Sequence, residues 1–419
     1  MMNKPKIRFS GYTEAWEQRK LLEFGKATGG TSIESEFSED GIYKVISIGS
    51  YSEDGVYRDQ GIRAVRSDKT ANRILNKGDI TMILNDKTAS GNIIGRVLLI
   101  EESGVYVYNQ RTERIEVDNS NYDSQFIYTM LNAPEIRDKI IKQSQGNTQI
   151  YVNWTTVSQT DYLVPQLSEQ RRIGEYFSNL DNLITLHQRK CDQTKKLKKY
   201  MLQKMFPQNA SNLPEIRFEG FTEAWEQRKL SELLEVTSEK NTKGQFTQDD
   251  ILACSLGTEL DKKTIFFGLR STEESVKSYR VVNIGDVIYT KSPIKGYPNG
   301  IVRTCKNTDG IVPSLYCVYR EKDNISIPID TRFIQSYLED KTRLDGYLSP
   351  LVNVGARNNV NITDKGFLEG TIMLPKTKEE QIRIVDTLTT ISDLITLHQR
   401  KRDELMKIKK YMLQNMFAM

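Results

Sequence analysis

The feature that most constrains this chain is that its sequence repeats the same two end segments. Residues 5–21 return as residues 214–230 with 14 of 17 positions identical, and residues 181–206 return as residues 392–417 with 18 of 26 identical. Repeats of this kind mark one structural unit that occurs twice. The sequence therefore predicts two halves built on one plan and related by a pseudo-twofold internal repeat.

The segments between the repeated ends, about 32–163 and 231–374, share little obvious identity. A repeated frame around unlike inserts is expected when the frame does one job twice, for two copies of one partner. The inserts are then expected to recognise two different ligands.

Each closing segment has the pattern of a long helix. Apolar or small residues recur every three or four positions from Ile173 to Met205 and from Ile384 to Met416, which is the spacing of a coiled-coil seam. The first segment predicts a helix from Ser168 to Phe206, about 60 Å long at 1.5 Å per residue. The two helices are expected to pair through the seam residues Ile173, Phe177, Leu180, Ile184 and His187 of the first and Ile384, Leu388, Ile391, Ile395 and His398 of the second.

Polar residues on these helices have structural interpretations. Glu169 and Glu380 lie near the predicted helix starts, where the partial positive charge of a helix N-terminus favours carboxylates. His187 and His398, the only histidines in the sequence, occupy equivalent seam positions. Since no acid or nucleophile recurs beside them, we interpret them as residues that fix the register of the helix pair.

Both inserts alternate short β-branched runs with turn residues, as at 44–49, 79–84, 281–289 and 316–319, and helical patterns occur at 122–132 and 331–339. A Gly-Asp turn precedes a strand in each insert, at 78–79 and 285–286. These patterns predict an α+β fold in which two sheet-containing domains are joined by two long antiparallel, coiled-coil-like helices. The predicted boundaries are domain 1 at 1–165, the first spacer helix at 166–206, a linker at 207–213, domain 2 at 214–375 and the second spacer helix at 376–419.

The net charge of +4 permits binding to a polyanion but does not require it. Guanidinium and amide groups clustered in loops can hydrogen-bond base edges, so such clusters are candidate DNA-reading positions, although an ordinary surface role is open for each residue. The candidates are Arg58, Arg63, Arg66, Arg73, Lys87, Asn92, Asn147, Gln149, Tyr151 and Trp154 in the first insert, and Lys291, Ser292, Lys295, Tyr297, Asn299, Arg357, Asn358, Asn359 and Asn361 in the second.

Motifs for catalysis are missing from the sequence. It has no glycine-rich methyltransferase loop with Asn-Pro-Pro-aromatic or Asp-Pro-Pro-aromatic, no Walker loop, no His-Glu-x-x-His, no Gly-x-Ser-x-Gly and no convincing nuclease signature. We therefore expect no catalytic or metal-binding residues. The four cysteines form no Cys-x-x-Cys pair and are interpreted as reduced thiols, and the lack of a long apolar run predicts a cytoplasmic protein with no membrane partner.

Three repeated motifs together resemble a known family. They are Thr-Glu-Ala-Trp-Glu-Gln-Arg-Lys-Leu at 13–21 and 222–230, Glu-Gln-Arg-Arg-Ile at 169–173 with Glu-Gln-Ile-Arg-Ile at 380–384, and Leu-Ile-Thr-Leu-His-Gln-Arg-Lys at 183–190 and 394–401. They closely resemble the specificity subunit of type I restriction-modification systems, over essentially the entire chain.

The resemblance implies two target-recognition domains, each reading one half of a bipartite asymmetric site in double-stranded DNA, with the helix pair holding them at a fixed separation. It implies two methyltransferase subunits docked on the repeated frame and two restriction subunits that can join. It also implies that this chain binds no cofactor, since S-adenosylmethionine belongs to the methyltransferase, and ATP and magnesium to the restriction subunit. No catalytic residues are carried over to this chain.

Two other classes of function are considered. A non-catalytic coiled-coil interaction scaffold with two unlike ligand-binding inserts would also have a repeated frame. A self-sufficient enzyme would need a nucleophile or a cofactor loop, and neither is found in this sequence.

Overall fold

The chain forms two compact units, each built from one insert and parts of both long helices. The computed structural model describes residues 4–87, 89–208, 211–253, 259–262, 272–291, 296–325, 327–354 and 360–418. Unit 1 comprises Met1–Gln188 and Gln399–Met419, and unit 2 comprises Arg189–His398. Each unit therefore contains the first half of one long helix and the last half of the other.

The first half of the chain has eleven strands and four short helices before its long helix, among the described residues. The strands are β1 (Glu17–Lys20), β2 (Gly25–Gly29), β3 (Tyr43–Ile46), β4 (Arg63–Ala64), β5 (Ile80–Ile83), β6 (Asn85–Asp86), β7 (Val97–Leu99), β8 (Tyr106–Tyr108), β9 (Thr112–Val117), β10 (Ile150–Tyr151) and β11 (Asp161–Val164). The helices are α1 (Asp68–Ala71), α2 (Ser124–Asn132), α3 (Pro134–Ile141), α4 (Trp154–Val157) and the long α5 (Leu167–Lys204).

The second half repeats this plan within its described part. Its strands are β12 (Glu226–Lys229), β13 (Leu234–Val236), β14 (Leu252–Ala253), β15 (Asp261–Lys262), β16 (Arg280–Val282), β17 (Val287–Thr290), β18 (Val302–Thr304), β19 (Gly310–Val312), β20 (Tyr316–Glu321), β21 (Asn353–Val354), β22 (Val360–Asn361) and β23 (Thr371–Leu374). Its helices are α6 (Leu230–Leu233), α7 (Glu273–Val276), α8 (Thr331–Leu338), α9 (Lys341–Leu348), α10 (Asp364–Phe367) and the long α11 (Lys378–Asn415).

A four-stranded antiparallel sheet with the same strand order lies in both units. The order is β2-β9-β5-β7 in unit 1 and β13-β20-β17-β18 in unit 2. A two-stranded pair also recurs, since β1 with β11 matches β12 with β23, and the bridge between Gln145 and Tyr151 in unit 1 has its counterpart in the pairing of β21 with β22. The second layer is a three-stranded sheet β4-β3-β8 in unit 1; in unit 2 it is the pairs β14-β15 and β16-β19, which a parallel bridge between Ile251 and Ile311 links in the way that β3 pairs with β8. The inserts thus share one fold with different elaborations.

The predicted Gly-Asp turns adopt the same geometry in both units. Gly78 and Gly285 have φ of 92° and 96°, a backbone conformation that glycine adopts without a steric penalty. The carboxylate of Asp79 accepts the Asn76 N–H at 2.7 Å, as that of Asp286 accepts the Asn283 N–H at 2.8 Å. In unit 2 this turn divides the predicted strand run 281–289 into β16 and β17, which belong to two different sheets.

Helices cover one face of each four-stranded sheet and form the core with it. The predicted helices at 122–132 and 331–339 are α2 and α8, and in each an aspartate caps the N-terminus: Asp123 accepts from Phe126 N and Asp330 from Arg332 N. The unit 1 core joins apolar residues of the sheet and α2 to Ile173, Phe177 and the end of α11. The unit 2 core joins the equivalent residues to Ile384, Leu388 and the end of α5.

The long helices run antiparallel where they meet inside unit 1. Lys409 of α11 forms an ion pair with Asp181 of α5 at 2.5 Å, and Arg402 donates to the Gln188 side chain. Asp181 precedes Gln188 in α5, whereas its partner Lys409 follows Arg402 in α11, so the two helices run in opposite directions. In unit 2, Leu202 of α5 lies in the same apolar cluster as Leu388 of α11. The α+β fold with two domains joined by long helices is confirmed.

Both long helices are fixed at their starts by an arginine from the repeated opening segment. Arg8 makes a two-pronged ion pair with Glu169, at 2.7 and 2.6 Å, and Arg217 makes the same pair with Glu380, at 2.7 and 2.9 Å. The glutamates are 1% and 2% exposed, so these pairs are almost fully removed from water. The hydrogen bond between Glu169 and Arg8 raises the pKa of the arginine above its usual value.

The same opening segments also contact the ends of the long helices. The backbone N–H of Ile7 donates to the C=O of Asn415 at the end of α11, and that of Ile216 donates to the C=O of Lys204 at the end of α5. Each opening segment therefore joins the start of one long helix to the end of the other. No helix in the described part of the chain combines the length and apolar composition needed to cross a lipid bilayer.

We predict that Glu169→Ala lowers the free energy of unfolding by about 3–5 kcal/mol, because it leaves the largely buried charge of Arg8 without its carboxylate partner. Glu380→Ala should have the same effect in unit 2. Denaturation in urea, followed by circular dichroism, measures both.

The control is Glu175→Ala, which removes the exposed partner of Arg172 and should change stability by less than about 0.5 kcal/mol. The double variant Arg8→Met, Glu169→Met should recover most of the loss. A double variant as unstable as Glu169→Ala would show that a stranded charge is not the cause.

Candidate nucleic-acid interface

In unit 1, four of the predicted DNA-reading residues lie on one hairpin and the strand paired with it. The turn 145–151 is closed by backbone hydrogen bonds between Gln145 and Tyr151, at 2.9 and 3.0 Å. It presents the exposed residues Asn147 and Gln149. Because Ile150 pairs with Asp86, the register of β6 and β10 places the exposed Lys87 opposite Gln149. The hairpin therefore gathers an ammonium, two amides and the phenol of Tyr151, which is 39% exposed.

Arg111 lies beside this hairpin and was not identified from the sequence. Its side chain is exposed, and its φ of 67° is rare for a residue other than glycine. With the Asn85 amide oriented to satisfy both of its neighbours, its oxygen accepts from Arg111 Nη1 at 2.9 Å and its nitrogen donates to the Leu84 C=O. Asn85 is the strand partner of Tyr151, so Arg111 is an additional basic residue at the edge of the hairpin.

Asn92 lies on a neighbouring loop that is held by a buried cation. The Arg137 side chain is 8% exposed and donates to the C=O groups of Gly91, Asn92 and Ile94 at 2.6 to 3.1 Å. Burial lowers the pKa of Arg137 to about 10, with a smaller contribution from the nearby charge of Arg96. The Asn92 side chain itself donates to Glu53 at 2.8 Å. Arg137 thus fixes the loop next to the hairpin by its backbone.

The other unit 1 candidates lie elsewhere or have partners inside the protein. Arg63 on β4 makes a two-pronged ion pair with Asp59, with both distances 2.9 Å, and Arg58 and Arg66 are exposed near this strand. Arg73 donates to the Gly29 C=O, to Thr31 and to the Tyr108 hydroxyl at 2.8 to 3.0 Å. Trp154 is the first residue of α4, is half-buried and packs against the unit 1 core.

In unit 2, Lys291 follows the central strand β17 and is anchored by a carboxylate. Its Nζ lies 2.9 Å from Asp364 at the start of α10, and Arg280 reaches the other oxygen of Asp364 at 2.6 Å. The pKa of Asp364 is lowered to about 2: burial opposes ionisation, but hydrogen bonds from Cys317, Lys291 and Arg280 outweigh it. Lys291 is therefore held against the start of α10, which follows β22 in the sequence.

The remaining unit 2 candidates are partly described. Tyr297 is half-buried, and Lys341 lies 5.9 Å above its ring. The C=O of Asn299 accepts from the Tyr289 hydroxyl at 2.6 Å, and Asn361 belongs to β22, opposite Asn353. Outside the described residues lie Ser292, Lys295, Arg357, Asn358 and Asn359.

Burial of the predicted helix-pairing residues decreases from the start toward the centre of both long helices. Those nearest the helix starts are buried, namely Ile173, Phe177, Leu180, Ile384, Leu388 and Ile391. Those nearer the helix centres are half-buried, namely Ile184, His187, Ile395 and His398. The buried positions pack largely against the domain cores, since five of the six belong to the core clusters of units 1 and 2.

Glu113 of β9 is a buried carboxyl group in unit 1. It is 5% exposed and lies opposite Gly29, whose C=O is bound by Arg73. Burial raises the pKa of Glu113 from 4.5 to about 7, against the attraction of Arg73. Between these two values the folded chain keeps a proton that the unfolded chain has released, so stability falls as the pH rises.

We predict that Glu113→Gln removes this pH dependence. At pH 8 the variant should be more stable than the wild type by about 1–2 kcal/mol after solvent screening is allowed for, and at pH 4.5 the two should be nearly equal. Urea denaturation at both pH values measures the difference. Glu101→Gln, at an exposed position, is the control; a Glu113→Gln chain with the pH profile of the wild type would contradict the assignment.

Comparison with known proteins places the chain in a family. The model for the "Type I restriction modification DNA specificity domain" matches residues 13–196 and 222–407, one match in each half. Together the two matches cover most of the chain. The chain therefore belongs to the family of type I restriction-modification specificity subunits.

Individual relatives are distant in sequence. The Type I restriction enzyme MjaVIII specificity subunit of Methanocaldococcus jannaschii is 26% identical over 193 residues, which is 45% of this chain and 45% of that protein. The match thus spans about half the length of this curated relative. The crystal structure of a type I restriction-modification system S subunit from M. genitalium shows the same fold, with a TM-score of 0.63 and 12% identity over 99% of both chains. The HsdS subunit from Thermoanaerobacter tengcongensis aligns over 100% of this chain and 99% of its own with 17% identity and a TM-score of 0.46.

Proposed function

We propose that this chain is the DNA-reading subunit of a type I restriction-modification enzyme and reads a bipartite, asymmetric site in double-stranded DNA. Each insert reads one half-site, and the two long helices set the spacing between the half-sites. Phosphate contacts position each insert, so affinity falls with salt, and base-edge contacts select the sequence. Since genomic DNA is the ligand, the proposal includes a cytoplasmic location.

The observation that carries the proposal is one fold that presents two chemically different surfaces at the same place. Unit 1 presents Lys87, Gln149 and Arg111 around its hairpin, whereas unit 2 has Lys291 and Leu315 at the corresponding sheet edge. Two inserts with one fold and unlike surfaces are what recognition of two different half-sites would require.

We propose further that two methyltransferase subunits dock on the repeated helices and that two restriction subunits can join. Apolar side chains are exposed at four pairs of equivalent helix positions, each pair 211 residues apart: Leu183 and Leu394, Leu186 and Leu397, Leu197 and Ile408, Tyr200 and Tyr411. Each of these side chains is 39–58% exposed. Exposed apolar groups that recur in register are expected where two copies of one partner bind.

Catalysis then belongs to the partners. The methyltransferase supplies S-adenosylmethionine, flips the target adenine out of the duplex and methylates it, and the restriction subunit uses ATP and magnesium. This chain binds no cofactor in the proposal and contributes recognition and assembly.

The test of DNA reading is to replace segment 32–163 with that of a relative and to map methylated adenines across the genome in cells that also make the methyltransferase. One half of the methylated motif should change and the other half should stay. The control replaces the same segment with its own sequence recoded at the DNA level. A motif that is unchanged by the swap would favour the interaction scaffold, and methylation by the purified chain alone with S-adenosylmethionine would favour a self-sufficient enzyme.

The test of docking is to replace Leu183 and Leu186 with glutamate. Because these side chains are exposed, the fold should persist, while the methyltransferase bound per chain should fall from two copies to one, with at least about a tenfold loss of affinity at the altered site. Replacing Leu394 and Leu397 as well should abolish copurification.

The matched control is Thr185→Glu with Thr396→Glu. These exposed residues add one glutamate to each helix, where the leucine variants add two, and they lie about 200° around the helix from the leucine two residues earlier, at 100° per residue. Normal copurification of the leucine variants would contradict this docking surface.

A further inference from the structure

Arg111 in unit 1 and Leu315 in unit 2 occupy the same place in the shared fold. Each directly precedes the long strand of the four-stranded sheet, β9 or β20. The C=O of Arg111 accepts the N–H of Leu84, and the C=O of Leu315 accepts the N–H of Lys291. Leu84 and Lys291 are themselves the residues that follow the equivalent strands β5 and β17. The two positions are therefore equivalent in strand order and in hydrogen-bond register, although Leu315 does not share the positive φ of Arg111.

The side chains at this place differ in chemistry, although both face solvent. Leu315 is 58% exposed. Arg111 is exposed and has a left-handed backbone conformation, which costs free energy and persists only where the surroundings fix it. An apolar group and a guanidinium thus project from one sheet edge in the two units.

One nitrogen of the Arg111 guanidinium is oriented by a hydrogen bond, and most of its donors are open. Asn85 is its hydrogen-bond partner among the described residues, through Nη1. A guanidinium has five N–H donors in a planar fork, so four remain for a ligand. The fork fits the O6 and N7 acceptors that a guanine presents in the major groove. A fork already held by Asn85 loses less conformational freedom on binding.

Leu315 presents methyl groups and no hydrogen-bonding atom on its side chain. The base feature that an apolar side chain recognises in the major groove is the 5-methyl group of thymine. The neighbouring cation Lys291 is turned toward Asp364, 2.9 Å away. Among the described residues, Leu315 is therefore an exposed apolar side chain that this edge offers to a base.

We propose that this position selects a base in each half-site: Arg111 hydrogen-bonds a guanine in the half-site of the first insert, and Leu315 contacts a thymine methyl group in the half-site of the second. The inference rests on the proposed function and deepens it to single base pairs. The segment swap above identifies which half of the motif each insert reads.

The experiment maps methylated adenines genome-wide in cells that make the methyltransferase with wild-type chain, Arg111→Leu, Arg111→Lys or Leu315→Arg. Arg111→Leu should lose the preference for one guanine in the first half-site, by roughly 10- to 100-fold in methylation of sites with another base there. Leu315→Arg should exchange a thymine for a guanine in the second half-site. In each variant the other half-site should be unchanged.

Arg111→Lys separates a base contact from a phosphate contact. Lysine keeps the charge but lacks the planar fork of donors. If Arg111 contacts a base, the methylated motif of Arg111→Lys should be less specific at that base. An unchanged motif would indicate a phosphate contact and would overturn the proposal. The matched control for Leu315→Arg is Ile284→Arg, because Ile284 is also 58% exposed in unit 2 and lies in the Gly-Asp turn. The methylated motif of Ile284→Arg should equal that of the wild type.

Other outcomes are also decisive. A wild-type motif without guanine in the first half or thymine in the second overturns the proposal, as does complete loss of methylation in Arg111→Leu. A wild-type chain that directs methylation to a bipartite motif while both variants leave it unchanged overturns this inference alone. A wild-type chain that directs no methylation overturns the proposed function and this inference with it.

Discussion

The buried pairs Arg8–Glu169 and Arg217–Glu380 are the interactions on which the rest of the structure depends. Each glutamate lies in the first turn of a long helix, and each arginine also donates to a C=O in its own opening segment, of Glu14 or Glu223. A carboxylate there is favoured by the helix N-terminus and by the guanidinium together. A two-pronged pair fixes orientation as well as distance. The opening segment is therefore fixed to the helix start in one geometry, and the same residues fix it twice.

An amide next to each pair connects the frame to its insert. Gln170 accepts from Asp123 N and donates to the C=O of Pro165, and Gln381 accepts from Asp330 N and donates to the C=O of Pro375. Asp123 and Asp330 are the caps of α2 and α8, the helices that cover the sheets. Identical frame residues thus determine where each sheet lies relative to its own long helix. Because these contacts are made by the buried face of the insert, its exposed loops can diverge while the fold stays the same.

The sequence predicted what depends on local periodicity and missed what depends on distant contacts. The first long helix was predicted from Ser168 to Phe206 and spans Leu167–Lys204, because its seam repeats over many turns. Glu169 was assigned to the helix dipole, and its partner Arg8, 161 residues away, could not be read from the pattern. Arg73 fitted the composition of a DNA-reading loop, yet three hydrogen bonds tie it to the strand β2 region and Tyr108. Arg111 was missed because its position depends on a positive φ and on Asn85, neither of which has a sequence signature.

The candidate reading loops have in common that charged groups inside the protein hold them. Arg137 holds the 91–94 loop of unit 1 by three C=O groups, and Asp364 holds Lys291 in unit 2. Base discrimination requires donors and acceptors placed to within about half an ångström, which a free loop does not provide. In unit 1 the buried cation Arg137 adds positive charge beside the 91–94 loop, whereas in unit 2 the anion Asp364 offsets the charges of Lys291 and Arg280. Two units with one fold therefore differ in the local charge beside their candidate reading loops, and such a difference suits the asymmetric DNA site that we propose.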